Sequence, residues 1–283
     1  MLNRVGESAR RWKALVRARR AEIERLAPDD SPGGLGYWDR RAKCLAPRLS
    51  DAEGDPFLSR LRRACGRRTT VLDVGSGPGR FALALAPRVA EVVALDPSPA
   101  MLTILRREAR RRGASNVRTV EGRWGEVAVG PVDVAFASYV LPIVEDAPDF
   151  ILRMDAAARR WVFLYLGAFT SDAIVDPLWR HFHGRPRRPG PTWLDAVDVL
   201  RETGIDADVE VVEVANRTRF PTLAGAVRDY QDLLVLPDTR EVRRELAALL
   251  SVWLVAGDNG LRPPIATLPV AVIRWAPNGP SAG

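Results

Sequence analysis

With 283 residues, 47% of them hydrophobic, the chain can bury the core of one full α/β domain with extensions but is too short for two independent enzyme domains. Its longest uncharged apolar run, near Ala247 to Ala256, cannot span a bilayer, and the two cysteines, Cys44 and Cys65, make neither a disulfide framework nor a zinc site. No signal-peptide apolar region opens the chain, so it reads as soluble and cytoplasmic. A net charge of +7 and a pI near 10.2 leave nucleic acid, anionic lipid or an acidic substrate open as partners.

Residues 3 to 27 place Val5, Ala9, Trp12, Val16, Ile23 and Leu26 near helical period, with basic residues between them. That spacing predicts an amphipathic helix lying on the domain. "DDSPGGLG" (Asp29 to Gly36) reads as a flexible connector, so residues 1–36 form a basic helix with its linker. "YWDRRAKCLAPRL" predicts a second short helix, and a third ends near Ala64.

Beyond Arg68 strands and helices alternate. Strands are expected at Thr70 to Val74, Glu91 to Asp96, "VRTVE", Val132 to Ser138 and Arg160 to Leu166. Helices are expected from Arg80 to about Val89, from Ser98 to a stop at Gly113, and over Ala147 to Ala158. This alternation predicts a doubly wound, mostly parallel sheet. Later come a loop at Gly184 to Pro191, a helix ending at Gly204, a long strand "DADVEVVEVANRTRF" and two helices. The second of these has Asp238 and Glu241 at capping-box spacing. An apolar strand, Leu268 to Trp275, closes the domain before a disordered tail at 276–283. The main domain thus runs over 37–275, with a helical insertion at 221–260.

The stretch "VLDVGSGPGRFALALA" sets Gly75, Gly77 and Gly79 between a strand and a helix. Such a break aims backbone N–H groups and a helix N-terminus at one spot, and a side chain there would keep a ligand from the main chain. Asp96 ends the next strand, where a carboxylate can accept both hydroxyls of a ribose. Asp73 lies two residues before the first glycine. The spacing Gly75-x-Gly77-x-Gly79 is not the dinucleotide fingerprint, and no P-loop lysine and Ser/Thr follow.

"VLDVGSGPG" followed by "VVALDPSPAML" resembles the glycine motif and the following acidic motif of class I S-adenosylmethionine-dependent methyltransferases. The resemblance covers Thr70 to about Ser138 at the level of motifs, and Tyr37 to Trp275 at the level of architecture. It implies the Rossmann-like methyltransferase fold, with seven strands ending in an antiparallel one. It implies S-adenosylmethionine as cofactor, with Gly75, Ser76 and Gly77 at its methionine part, Asp73 orienting its ammonium and Asp96 on its ribose. Ser98 and Met101 would border the adenine, with Arg123 and Trp124 on its other side, and Ser138 would face the methyl group. Tyr37 and Trp38 resemble the aromatic lid of small-molecule members, with Tyr139 as a further substrate-side or lid residue.

Methyl transfer is an in-line displacement, so the protein mainly aligns a nucleophile and excludes water. A base is needed only where the nucleophile must lose a proton. The two histidines, His181 and His183 in "WRHFHGRPRR", are the candidates for that base or for substrate binding; alternatively they pack in an arginine-rich loop. They make no metal site, having no accompanying ligands. Ser138-Tyr139-Val140-Leu141-Pro142 departs from the Asn/Asp-Pro-Pro-Tyr of enzymes methylating adenine or glutamine nitrogen. The remaining resemblance is to the small-molecule group that includes the ubiquinone and menaquinone methyltransferases. Arg185, Arg187 and Arg188 are available to an acidic substrate or to solvent. The alternatives are an RNA methyltransferase that uses the basic N-terminal helix, and a non-catalytic binder of the cofactor.

Overall fold

The computed structural model describes residues 6–27, 38–39, 42, 52–168, 172–257 and 260–277. The expected connector at Asp29 to Gly36, most of the second short helix, Tyr37, Cys44 and the last six residues of the tail lie outside them. The first helix, α1 (Glu7–Leu26), turns Ala9, Trp12, Val16 and Ile23 inward at the anticipated spacing, but Leu26 is exposed at its end. The next described helix, α2 (Pro56–Ala64), is started by Asp55, whose carboxylate accepts the Phe57 N–H at 2.8 Å.

Strands β1 (Thr70–Val74), β2 (Glu91–Asp96), β3 (Val117–Glu121) and β4 (Val132–Ser138) form where the apolar runs predict them. Between them lie α3 (Arg80–Leu85) and α4 (Pro99–Arg111), the latter capped by Ser98. Helix α3 is shorter than expected, because its last turn tightens into a 3-10 segment over Ala86–Arg88. Helix α5 (Ala147–Ala157) leads into β5 (Ala158–Gly167).

The chain then departs from the sequence expectation. The histidines, anticipated in an arginine-rich loop, lie instead at the end of α6 (Asp172–His183), a helix with Pro177 inside it for which no expectation was made. Trp179, fully buried, ties that helix down, so packing prevails over the local breaker. Helix α7 (Trp193–Glu202) opens with a capping box between Thr192 and Asp195. Strand β6 (Asp208–Ala215) stops short of Phe220, which instead bridges to Leu261. Helix α8 (Leu223–Leu233) precedes α9 (Arg240–Trp253), whose cap is Thr239. Asp238 does not form the expected capping box; it accepts from Arg243 and Gln231. A small hairpin of β7 (Val255–Gly257) and β8 (Gly260–Arg262), not anticipated from the sequence, comes before β9 (Thr267–Trp275).

The main sheet has the order β3-β2-β1-β4-β5-β9-β6. β9 runs antiparallel between β5 and β6, and every other pairing in the sheet is parallel. One face packs on α1, α5 and α7, the other on α2, α3 and α4. Trp12 sits in the first of these cores and donates its indole N–H to the Val144 carbonyl at 2.8 Å. Helices α6, α8 and α9 share a separate core around Trp179, Tyr230 and Leu250. Since α6 follows the carboxyl end of β5, and α8, α9 and the hairpin join the carboxyl end of β6 to β9, this layer is attached at the rim where the parallel strands end. Open α/β sheets bind their ligands at that rim.

Candidate cofactor and acceptor site

Strand β1 runs out at Val74 into a loop whose three glycines all have positive φ: +71° at Gly75, +53° at Gly77 and +93° at Gly79. The loop is tied back to the neighbouring strand, since Gly75 and Ser76 both donate to the Leu95 carbonyl at 2.8 and 2.9 Å. The glycines serve two different ends. A Cβ on Gly75 would lie 2.4 Å from Val140 Cγ2, and one on Gly79 would lie 2.7 Å from Leu105 Cγ. Those two positions are small because Val140, just beyond β4, and Leu105 of α4 press on them. A Cβ on Gly77 would meet nothing within 4 Å. Only there does the absent side chain leave the backbone open to a ligand.

Asp96, 7% exposed at the end of β2, accepts the Gly77 N–H and the Ser98 N–H, each at 2.8 Å. Burial raises its pKa; the two amides pull it back, and the nearby carboxylate of Asp39 pushes up again. Asp73 is buried more deeply and rises well above the carboxylate range, first through burial and then through the charge of Asp96, against an amide bond from Ala82. Its carboxyl therefore braces the start of α3. The Ser76 hydroxyl is buried and has no protein partner among the described residues. An open backbone at Gly77, a two-oxygen acceptor at Asp96 and an unsatisfied hydroxyl at Ser76 fit an adenosyl amino acid.

Other expected residues have different surroundings. Ser98 is buried; its hydroxyl caps Met101 N at 3.2 Å and donates to Asp39. Asp39 thus stands near the Asp96 carboxylate, and Trp38, expected as part of an aromatic lid, is its half-buried chain neighbour. Met101 is buried on α4 and Arg123 is exposed. Trp124 points its indole N–H at the Phe150 carbonyl, 3.1 Å away, and sets its ring edge-on to Phe150. Its described contacts are those of a packing residue.

Ser138 ends β4 beside Tyr165 of β5. Next to it, Tyr139 has φ +59°, donates its N–H to the Tyr165 carbonyl at 2.8 Å and is 46% exposed. Tyr165, fully buried, donates its hydroxyl to Asp55 at 3.0 Å, and Arg80 reaches the same carboxylate at 2.6 Å. Sequence spacing singled out none of Asp39, Asp55, Arg80 and Tyr165. The readable trace was Asp55-Pro56, a helix start.

The histidines and loop arginines engage other parts of the chain. His181 pairs with Glu245 of α9 at 2.7 Å; His183 bonds the Leu234 carbonyl at 2.8 Å and lies against Trp179. Neither has a described contact with the glycine loop, Asp96 or Ser138. Arg185 and the Arg188 amide both bond Glu22, whose side chain is fully buried, and Arg187 lies 4.5 Å over the Trp179 ring. The side chains of Arg185 and Arg187 therefore dock α1 and α6, while Arg188 contributes its main chain to the same junction and is exposed.

This sheet order, with a glycine turn and a carboxylate at the carboxyl ends of neighbouring strands, is that of a doubly wound, Rossmann-like domain. Residues 71–159 match the family model described as a methyltransferase domain. An uncharacterized protein of Haemophilus influenzae is 31% identical over 201 residues, covering 70% of this chain and 71% of the relative. A ubiquinone biosynthesis O-methyltransferase of Methylocella silvestris is 36% identical over 92 residues, 31% of this chain and 35% of that enzyme. The crystal structure of YcgJ from Bacillus subtilis shares the fold with a TM-score of 0.51 at 15% identity, covering 77% of this chain and 97% of its own. The chain belongs to the class I S-adenosylmethionine-dependent methyltransferases, and it is an enzyme that uses that cofactor. Among the described residues no helix is long and apolar enough to cross a membrane.

Proposed function

We propose that the enzyme methylates a small molecule in the cytoplasm. One observation carries this reading: three cations of α1, the face available to RNA, are paired with carboxylates of the domain itself. Arg11 meets Asp195 at 3.1 Å, while Arg17 and Arg20 both meet Glu145, at 2.9 and 2.5 Å. Such exposed pairs add little stability, but they lower the net field that a polyanion would feel. The helical layer of α6, α8 and α9 at the strand rim supports the same reading, because segments over the carboxyl ends shape compact ligand sites. Cys65, a free thiol, suits a reducing compartment.

The bound cofactor supplies an electrophilic methyl group on a cationic sulfur. The chain contributes placement: Gly77 and Ser76 offer backbone and hydroxyl, Asp96 accepts the ribose hydroxyls, and Asp73 holds the loop against α3. Ser138 and Tyr139, at the end of β4, stand where an acceptor would approach. Alignment of this kind contributes on the order of 7–11 kcal/mol to a displacement. Incubation with methyl-labelled cofactor, a metabolite extract and total RNA tests the assignment. Label in the low-mass fraction is the expected result; label confined to RNA would refute it.

A further inference from the structure

We propose that the Tyr139 hydroxyl binds the methyl acceptor, that it does so by donating to a carboxylate, and that Tyr165, Asp55 and Arg80 are the positioning residues behind it. This rests on the methyltransferase reading and adds the chemical class of its substrate.

The backbone gives the first reason. Tyr139 is a bulky residue held in the left-handed region, a conformation that costs an aromatic side chain about 1–2 kcal/mol. The bond from its N–H to Tyr165, and the packing of its ring edge-on to Tyr165 at 5.2 Å, keep it there. Strain of this sort at the end of a strand beside a cofactor loop points to a side chain aimed for use.

The second reason is the network beneath. Tyr165 is clamped by Phe57, stacked on its ring at 4.4 Å and 6°, and by Phe81, edge-on at 5.9 Å. The single proton of Tyr165 goes to Asp55, whose oxygens also take Arg80 and the Phe57 amide. Tyr139, at the outer end of this row, has only the Tyr165 oxygen beside its hydroxyl, so its proton can swing from that oxygen to a ligand. Although the residue as a whole is half exposed, desolvation of its hydroxyl by the protein beneath pushes the Tyr139 phenol up to about 12. Arg80 opposes the rise, Asp55 adds to it and the hydrogen bond with Tyr165 opposes it, so the phenol is neutral near pH 7.

The third reason concerns what the row lacks. Among the described residues around Ser138, Asp55 is fully engaged, Asp39 is taken by Ser98, and both histidines are bound to α8 and α9. The described side chains offer a donor and no base, which suits an acceptor that arrives already ionised. A carboxylate has two oxygens: one accepts from Tyr139 and the other attacks. A pair on the attacking oxygen forms the new O–CH3 bond as the S–CH3 bond breaks toward sulfur. The negative charge on the acid and the positive charge on the sulfur disappear together, and no proton moves. An amine would have to give its lone pair either to Tyr139 or to the methyl carbon.

The experiment uses the full chain with methyl-labelled cofactor and three defined panels: carboxylic acids, phenols and primary amines. Methyl esters release volatile methanol in mild alkali, whereas ethers and methylamines do not. The expected result is alkali-labile product from the acid panel. In Tyr139→Phe, KM for that acid should rise about ten- to a hundredfold, the usual cost of a lost bond to a charged group. Calorimetry with the demethylated cofactor should show unchanged binding in that variant, which separates this proposal from the cofactor assignment. Asp55→Asn keeps an N-capping side chain but removes the charge, so absorbance titration at 295 nm should show the Tyr139 phenol ionising below its wild-type pH. Alkali-stable label only, no label in the acid panel, or an unaltered KM in Tyr139→Phe overturns the proposal.

Discussion

Substituting alanine at Gly77 separates ligand approach from folding. The new methyl group meets no atom within 4 Å, so the folded chain bears only the cost of a φ of +53°. That cost is about 1–2 kcal/mol, or a fall in Tm of roughly 2–8 °C for a chain of this size. The same methyl stands over the amide that reaches Asp96, on the open side of the loop, so affinity for S-adenosylhomocysteine should fall about a hundredfold, or ~2.7 kcal/mol. Gly113→Ala is the matched control: its φ is +64°, its surroundings are equally open, and it closes α4 far from Asp96 in sequence. It should show the same thermal loss with unchanged affinity. Gly75→Ala should lose much more stability, because its Cβ would sit 2.4 Å from Val140, and Val140→Ala in the same chain should recover part of that loss. Calorimetric titration and thermal melts of the wild type and all four variants decide the matter. Wild-type affinity in Gly77→Ala would refute the assignment of that backbone to the ligand.

Burial raises the Asp96 pKa, and the ribose needs the ionised form, so affinity for S-adenosylhomocysteine should fall as pH drops through a range above that of ordinary carboxylates. The free fold follows the opposite sign: a raised carboxyl pKa adds stability at low pH that is lost as pH rises through it. Asp96→Asn should bind more weakly and show no such slope, as titrations at several pH values would reveal. Glu22→Ala should lose about 1–3 kcal/mol by denaturant melt, a range kept low because Arg185 is half exposed, with cofactor affinity unchanged. His181→Gln and His183→Gln should leave cofactor binding and turnover intact; only the second, which loses its bond to Leu234 and its place against Trp179, should cost about 1 kcal/mol in a melt. A loss of turnover at saturating acceptor in either variant would restore the histidines as catalytic candidates.

Short-range pattern determined much of this protein. Strands β1 to β4 follow directly from apolar runs, because a buried parallel strand must be apolar along its whole length. The glycine turn and the place of Asp96 at the end of β2 were legible too, since left-handed backbone at a tight turn favours glycine. Tertiary structure alone decided which distant side chains meet. Asp55, Arg80, Tyr139 and Tyr165 converge only because β5 lies beside β4 and α2 crosses above them, and no local period encodes that. The fate of the arginines was likewise invisible, because a basic run reads the same whether it faces solvent or, like Arg185, a buried Glu22. Helix α6 was not read from the sequence: it carries Pro177 inside it, and the burial of Trp179 that holds it depends on packing with α8 and α9, which come later in the chain.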